Sequence, residues 1–261
     1  MKEVLFTADR RQVPCVDIET LRKLDRLATT DFGLSTAQLM ESAGRNVTGL
    51  LLELWAAEGR NLRDTQVLFM IGPGRNGGNG LCAARHLANR GLQVSFLLSA
   101  PDAMTTDCSG QLPALRATDA IEVRMNSLAH GQPDFIVDAL HGCGLPEPDV
   151  APATQLIQWC NHSSAPVLSL DLPAGFKSSN SDGVSRPVSN AGDAAQSTDS
   201  EFIRAQWVLA LSLPNIALMD ARIGRVFVGD AGIPEKVYHQ AGVVTYDPPF
   251  ESRYILPLTS D

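Results

Sequence analysis

Two hydrophobic periods divide the chain. From Asp17 to about Asp31, Leu21, Leu24 and Leu27 recur at helical spacing behind an acid that can cap a helix, and Phe32-Gly33 closes the run. A second helical stripe, made of Leu39, Met40, Ala43, Val47, Leu50, Leu51 and Leu54, runs from about Ser35 to Ala57 and ends at Gly59. Short continuous apolar runs then take over at 66–71, 93–98, 121–124, 135–139, 166–170, 207–212 and 224–228. Helical patterns at 80–90, 104–118 and 153–162 separate several of them. Unbroken apolar runs are strands buried on both faces, and strands joined through helices make a largely parallel sheet with right-handed crossovers. The pattern therefore predicts an α/β protein, preceded by two N-terminal helices. Residues 1–16 read as an arm. Ile233-Pro234 opens a short helix to about Gln240, and the tail at Tyr254–Leu258 is expected to pack back on the body.

One stretch breaks the pattern. Ser178–Ser200 is rich in Ser, Asn, Asp, Gly and Ala, with almost no large apolar residue. It reads as a long flexible polar loop inside one domain spanning 1–261, because strands resume after it and both sides belong to one sheet.

Composition changes this picture little. The formal charge of −8 leaves no overall electrostatic footprint for nucleic acid or an anionic membrane. No apolar run reaches the roughly 18–20 residues that span a bilayer, and Met1–Arg10 lacks the apolar core of a signal peptide. Cys15, Cys82, Cys108, Cys143 and Cys160 are odd in number and show no metal-ligand spacing. Reduced thiols in a cytoplasmic protein are the expectation.

The chemistry concentrates at strand ends. Gly72-Pro-Gly-Arg-Asn-Gly-Gly-Asn-Gly80 follows the first apolar run and precedes a helix, an order that presents backbone N–H groups to an anion. Its glycines would permit positive φ or close approach of a ligand. Gly72, Gly74 and Gly77 satisfy the dinucleotide fingerprint, yet the strand at 93–98 ends in Ser99-Ala100 without the acid that binds ribose. Asp138-Ala-Leu-His-Gly-Cys-Gly144 and Asp171-Leu-Pro-Ala-Gly175 end two further strands. An acid after a strand is often only a turn residue or a cap. Two of them on the rim that carries the glycine loop predict a site, because parallel sheets bind ligands at the carboxyl ends of their strands. His141 lies on the same rim, more in keeping with a loop histidine than with an acid/base group.

Several of these segments, taken in order, resemble the YjeF N-terminal domain of NAD(P)H-hydrate epimerases. They are Leu39-Met-Glu-Ser-Ala-Gly44, Gly72–Gly80 with Leu81–Leu87, Val137–Gly144, Asp171–Gly175 and Gly229-Asp-Ala-Gly-Ile-Pro234. The resemblance implies a Rossmann-like three-layer αβα sandwich, often a homodimer, that interconverts the R and S epimers of hydrated NADH or NADPH. It implies a potassium ion held by Asn76, Asp138 and the residue at Ala174. It places the hydrated nucleotide against Arg75, Asn76, Gly77, Gly78 and Asn79, against Gly142, Cys143 and Gly144 at the start of a segment reaching 148, and against Asp171, the acid/base group. Several positions depart from the family pattern. Arg75 and Asn79 stand where the family has an amide and a carboxylate, Ala174 replaces a serine, Asn215 replaces a lysine, and Phe176-Lys177 begins a polar insert in place of an acidic glycine-rich loop. The chain is also similar, at Arg85–Asn89, Ala165–Ser169 and from Gly224 onward, to the C-terminal domain of enhancer-of-mRNA-decapping proteins. In that branch the same fold serves as a dimerising scaffold, the one reading in which a nucleic-acid connection would arise.

Overall fold

The computed structural model describes residues 3–130, 132–142, 151–177 and 202–260. The expected polar loop at 178–200, and Cys143, Gly144 and the rest of the segment to 148, lie outside the described residues. The arm folds as a hairpin of β1 (Val4–Phe6) and β2 (Gln12–Pro14). Helix α1 (Ile18–Thr30) follows, with Asp17 Oδ1 accepting from Thr20 N, and then α2 (Thr36–Ala57), which Ser35 and Gln38 close with a reciprocal capping box. The βα core comprises β3 (Gln66–Ile71), α3 (Arg75–Ala88), β4 (Gln93–Leu98), α4 (Thr106–Ser109), α5 (Leu112–Arg116), β5 (Ile121–Glu122), β6 (Phe135–Ala139), α6 (Ala151–His162), β7 (Val167–Leu170), β8 (Trp207–Leu211), β9 (Arg225–Gly229), α7 (Glu235–Ala241) and β10 (Ile255–Leu258).

Eight of these strands form one sheet in the order β10-β9-β8-β7-β6-β3-β4-β5. All neighbours are parallel except β10, which runs antiparallel to β9. From β3 the chain steps one way to β4 and β5, then returns to lay β6 on the other side of β3. The order reverses there, and such a switch point opens a crevice at the strand ends.

Alternate strand residues enter different layers. Val67, Phe69 and Ile71 pack with Val47, Leu51 and Trp55 of α2 and with Leu81, Ala84 and Leu87 of α3. Leu68, Met70 and Ile136 face Leu156 and Ile157 of α6. Further along the sheet, Val208, Ala210, Val226 and Val228 face Leu24 and Ala28 of α1 and Val237 and Tyr238 of α7. This is the expected three-layer sandwich.

Three expectations need correction. The glycine segment is not an extended cradle before a helix at 80, because α3 already begins at Arg75. Its glycines also take no positive φ. They are there for contact: a Cβ on Gly80 would sit 2.6 Å from Ala139 Cβ and 2.9 Å from Ile71 Cδ1. Glycine lets the first turn of α3 lie directly on β3 and β6. The weak helix at 104–118 splits into α4 and α5 around Gly110-Gln111. The tail at 254–258 packs back on the body as expected, as the edge strand β10, and Phe6 and Thr259 exchange backbone hydrogen bonds of 2.8 and 2.9 Å. Cys15, Cys82, Cys108 and Cys160 are buried free thiols, and burial pushes their proton affinity above the ordinary thiol range. Among the described residues no helix is long and apolar enough to cross a membrane.

Candidate functional site

The ends of β3, β6 and β7 lie side by side because these strands are adjacent and parallel. Asn76, in the first turn of α3, reaches over β6 and donates from Nδ2 to the Leu170 carbonyl at the end of β7, 3.2 Å away. One amide thus ties the glycine segment to the second acid-bearing strand. Its other atom, Oδ1, is buried without a hydrogen-bond partner, and the residue is only 6% exposed. A buried, unsatisfied carbonyl-type oxygen is costly and uncommon in a folded protein.

Asp138 is fully buried. Its Oδ2 accepts from Ser169 Oγ at 2.7 Å and Ala174 N at 2.9 Å, and Oδ1 accepts from Leu140 N at 3.1 Å. Burial pushes its carboxyl up to about 6, against the pull of those three donors. Ala174 supplies no side-chain oxygen, and its carbonyl accepts from Ile203 N. These contacts make Asp138 the fastener between β6, β7 and the turn after β7.

Asp171 differs. Its φ is +61°, a left-handed conformation that is uncommon for a residue bearing a Cβ. Its N–H donates to the Leu209 carbonyl and its Oδ1 accepts from Leu211 N at 3.0 Å, so β8 holds both main chain and side chain. Its Oδ2 faces Gly142, where a Cβ would stand 3.1 Å away and 3.3 Å from Asn76 Cγ. Three predicted site residues, Asn76, Gly142 and Asp171, therefore converge. Burial pushes the Asp171 carboxyl up to about 6; the Leu211 N–H opposes the rise, the Asp25 charge adds to it and the Arg75 charge opposes it. Ser212, the next residue after β8, also has an unusual φ of +137°. Strained backbone of this kind gathers where a site dictates side-chain direction.

These groups line a pocket of about 520 Å³. Arg75, Asn76, Asn79, His141, Gly142 and Asp171 all border it, whereas Gly77 and Gly78 turn inward, with a Cβ on Gly78 meeting Met40 Sδ at 2.7 Å. The opposite wall was not foreseen. It is formed by α1 through Leu21, Asp25 and Thr29, and by Leu39, Met40 and Ala43 of α2. Asp25 Oδ2 lies 2.6 Å from Arg75 Nη1 as an ion pair, a charge contact and not an aligned hydrogen bond. Burial raises the Asp25 carboxyl, and Arg75 counters it. In the sequence Asp25 reads as an ordinary solvent-facing acid on an amphipathic helix. Arg75, a cation placed inside a glycine turn, was the available hint that a counter-ion would be near. Asn215 caps the turn after β8 through Oδ1 and Ala217 N, away from this pocket.

A family profile described as YjeF-related protein N-terminus matches residues 36–217, which include every strand end just described. The chain belongs to this family. The chain is 35% identical over 254 residues to the NAD(P)H-hydrate epimerase of Dehalogenimonas lykanthroporepellens, covering 97% of this chain and 96% of that one. The enhancer of mRNA-decapping protein 3 of Gallus gallus is 28% identical over 259 residues, 95% of this chain but 45% of that protein. The crystal structure of yeast ynu0 superposes with a TM-score of 0.75 at 22% identity, covering 94% of this chain and all of that one. That last likeness establishes the fold.

Proposed function

We propose that the pocket epimerises the C6 hydroxyl of hydrated NADH and NADPH. The observation that carries this reading is Asp171: a carboxylate fixed by strained backbone on the pocket floor, with its proton affinity raised into the working range of a general base. It is supported by the epimerase relative that is matched over nearly its whole length. The carboxylate takes the hydroxyl proton as the C6–N1 bond opens. The electron pair passes to the ring nitrogen, which is conjugated with the carboxamide. The freed carbonyl rotates, the ring closes on its other face and the proton returns, so no atom is gained or lost. Gly142 carries no side chain to crowd Oδ2, since a Cβ there would stand 3.1 Å from it.

Asn76 Oδ1, Asp138 and the Ala174 carbonyl would supply an all-oxygen donor set of the kind that suits a hard cation such as potassium, and the unpartnered Asn76 oxygen is the observation that fits one. Its charge would favour the ionised form of buried Asp138. Melting in potassium chloride against tetramethylammonium chloride, at equal ionic strength, is expected to differ by roughly 3–5 °C. Asn76→Ala should remove that difference; equal melting temperatures for the unaltered protein would remove potassium from the reading. A homodimer in the cytoplasm belongs to the same proposal.

The decisive assay starts from the R epimer of hydrated NADPH. The protein is added together with an S-specific dehydratase, and recovery of NADPH is followed. The expected result is recovery well above the spontaneous rate. Recovery at the spontaneous rate would leave the pocket as a nucleotide-binding scaffold, as in the decapping-enhancer branch.

A further inference from the structure

Arg75 is the first residue of α3, and its N-cap, Gly74, offers no side chain to the first-turn N–H groups. Guanidinium and uncapped helix start therefore face the same pocket, and both favour an anion. The group that meets Arg75 is Asp25, from a helix on the other side of the cleft. Their side chains are 39% and 42% exposed overall, so the pair stands at the mouth, although the Arg75 nitrogen that meets Asp25 is itself shielded from solvent. A pair this exposed contributes about 1 kcal/mol or less. A phosphate offers Arg75 two oxygens in a bidentate arrangement, with the helix start adding to the attraction.

We propose that Asp25 is the resident counter-ion of an anion-binding Arg75, and that a phosphate of the nucleotide displaces it. The inference rests on the nucleotide reading of this pocket and adds how the substrate is selected. Asp25 acts as a threshold. It excludes anions that cannot outbid a carboxylate, and it yields to a phosphate that can engage the guanidinium with two oxygens. Burial already raises the proton affinity of Asp25, which eases its release from Arg75. The other charged groups on the pocket wall are Arg22 and Arg26 from α1, Asp107 from α4, and Asp171.

Calorimetric binding of ADP-ribose and of its 2′-phosphate tests this without requiring turnover, so its failure is distinct from failure of the epimerase reading. Asp25→Asn should tighten binding roughly tenfold, and Arg75→Gln should weaken it by a similar factor. In the double variant the gain from Asp25→Asn should vanish. If both probes respond equally to Arg75→Gln, the phosphate read is the diphosphate; if only the 2′-phosphorylated probe responds, it is the 2′-phosphate. Either supports the exchange. Binding unchanged or weakened in Asp25→Asn would overturn it. So would a gain that persists with Arg75 replaced, since that gain would be a general effect of removing negative charge. Thermal melts of each variant establish that the fold is intact.

Discussion

Asp171→Asn is expected to lower kcat for the epimerisation by roughly 10²–10⁴-fold while leaving the protein at least as stable as before. The two halves of that result share one cause. In the folded protein burial pushes the carboxyl from its ordinary 3.8 up to about 6. The folded state therefore holds the proton more tightly than the unfolded chain, and the cost of ionising the group in place is absent below pH about 4. It grows between pH 4 and 6 and is complete above, at about 3 kcal/mol for the full rise. Asparagine escapes that cost. It can still accept from Leu211 N, and it tolerates a φ of +61° as well as any residue with a side chain. The melting temperature of Asp171→Asn should exceed that of the unaltered protein at pH 7–8, with the gap closing toward pH 4. The kcat/KM of the unaltered protein should rise with pH through about 6 to a plateau, because only the ionised carboxylate can accept the proton. A pH-independent gap, or a variant with full activity, would remove Asp171 from the mechanism.

Gly72→Ala is expected to cost about 3 kcal/mol or more, enough to bring many domains near unfolding. At Gly72 the chain leaves β3 and passes directly over the start of the segment that leaves β6. An added Cβ would collide with the Leu140 carbonyl, whose carbon would be 2.6 Å away and whose Cα 3.0 Å away. These are backbone atoms, locked by the β3–β6 ladder and by the Gly72 N–H bond to the Ala139 carbonyl. They cannot rotate aside, so the two strand ends must part. Gly78→Ala is the control. There the obstacle is the tip of Met40, a flexible thioether, and replacing a helical glycine by alanine returns up to about 1 kcal/mol. Urea unfolding midpoints should show a large loss for Gly72→Ala and a change near zero for Gly78→Ala. Similar losses for both would mean that the crossing is not what fixes glycine at 72.

The sequence and the structure agree where the physics is local or repeats. The strand at 66–71 and the capped helices α1 and α2 follow from apolar period and from the acceptors on Asp17 and Ser35. The common rim of β3, β6 and β7 follows from crossover rules, and it brought Asn76, Gly142 and Asp171 together as expected. What stayed hidden depends on contacts between distant segments. A glycine needed for positive φ and one needed for close packing look alike in one dimension, so the helical nature of residues 75–80 was missed. Asp138 and Asp171 end adjacent strands in the same way. Only the three donors around the first, and the left-handed backbone of the second, separate a fastener from a pocket base. Asp25 could not be placed, because its partner lies 50 residues onward and across the cleft.

The corner where Phe6 meets Thr259 ties the N-terminal hairpin to the edge strand β10. Its two backbone hydrogen bonds join residues 253 apart in the chain. Loop entropy rises only by about 0.6 kcal/mol for each doubling of length, so so wide a closure is affordable once the sheet exists. Because Phe6 and Thr259 already lie side by side, a short bridge between the hairpin and β10 would span little distance, and the order of the elements between them could be cut and rejoined without redrawing the pocket.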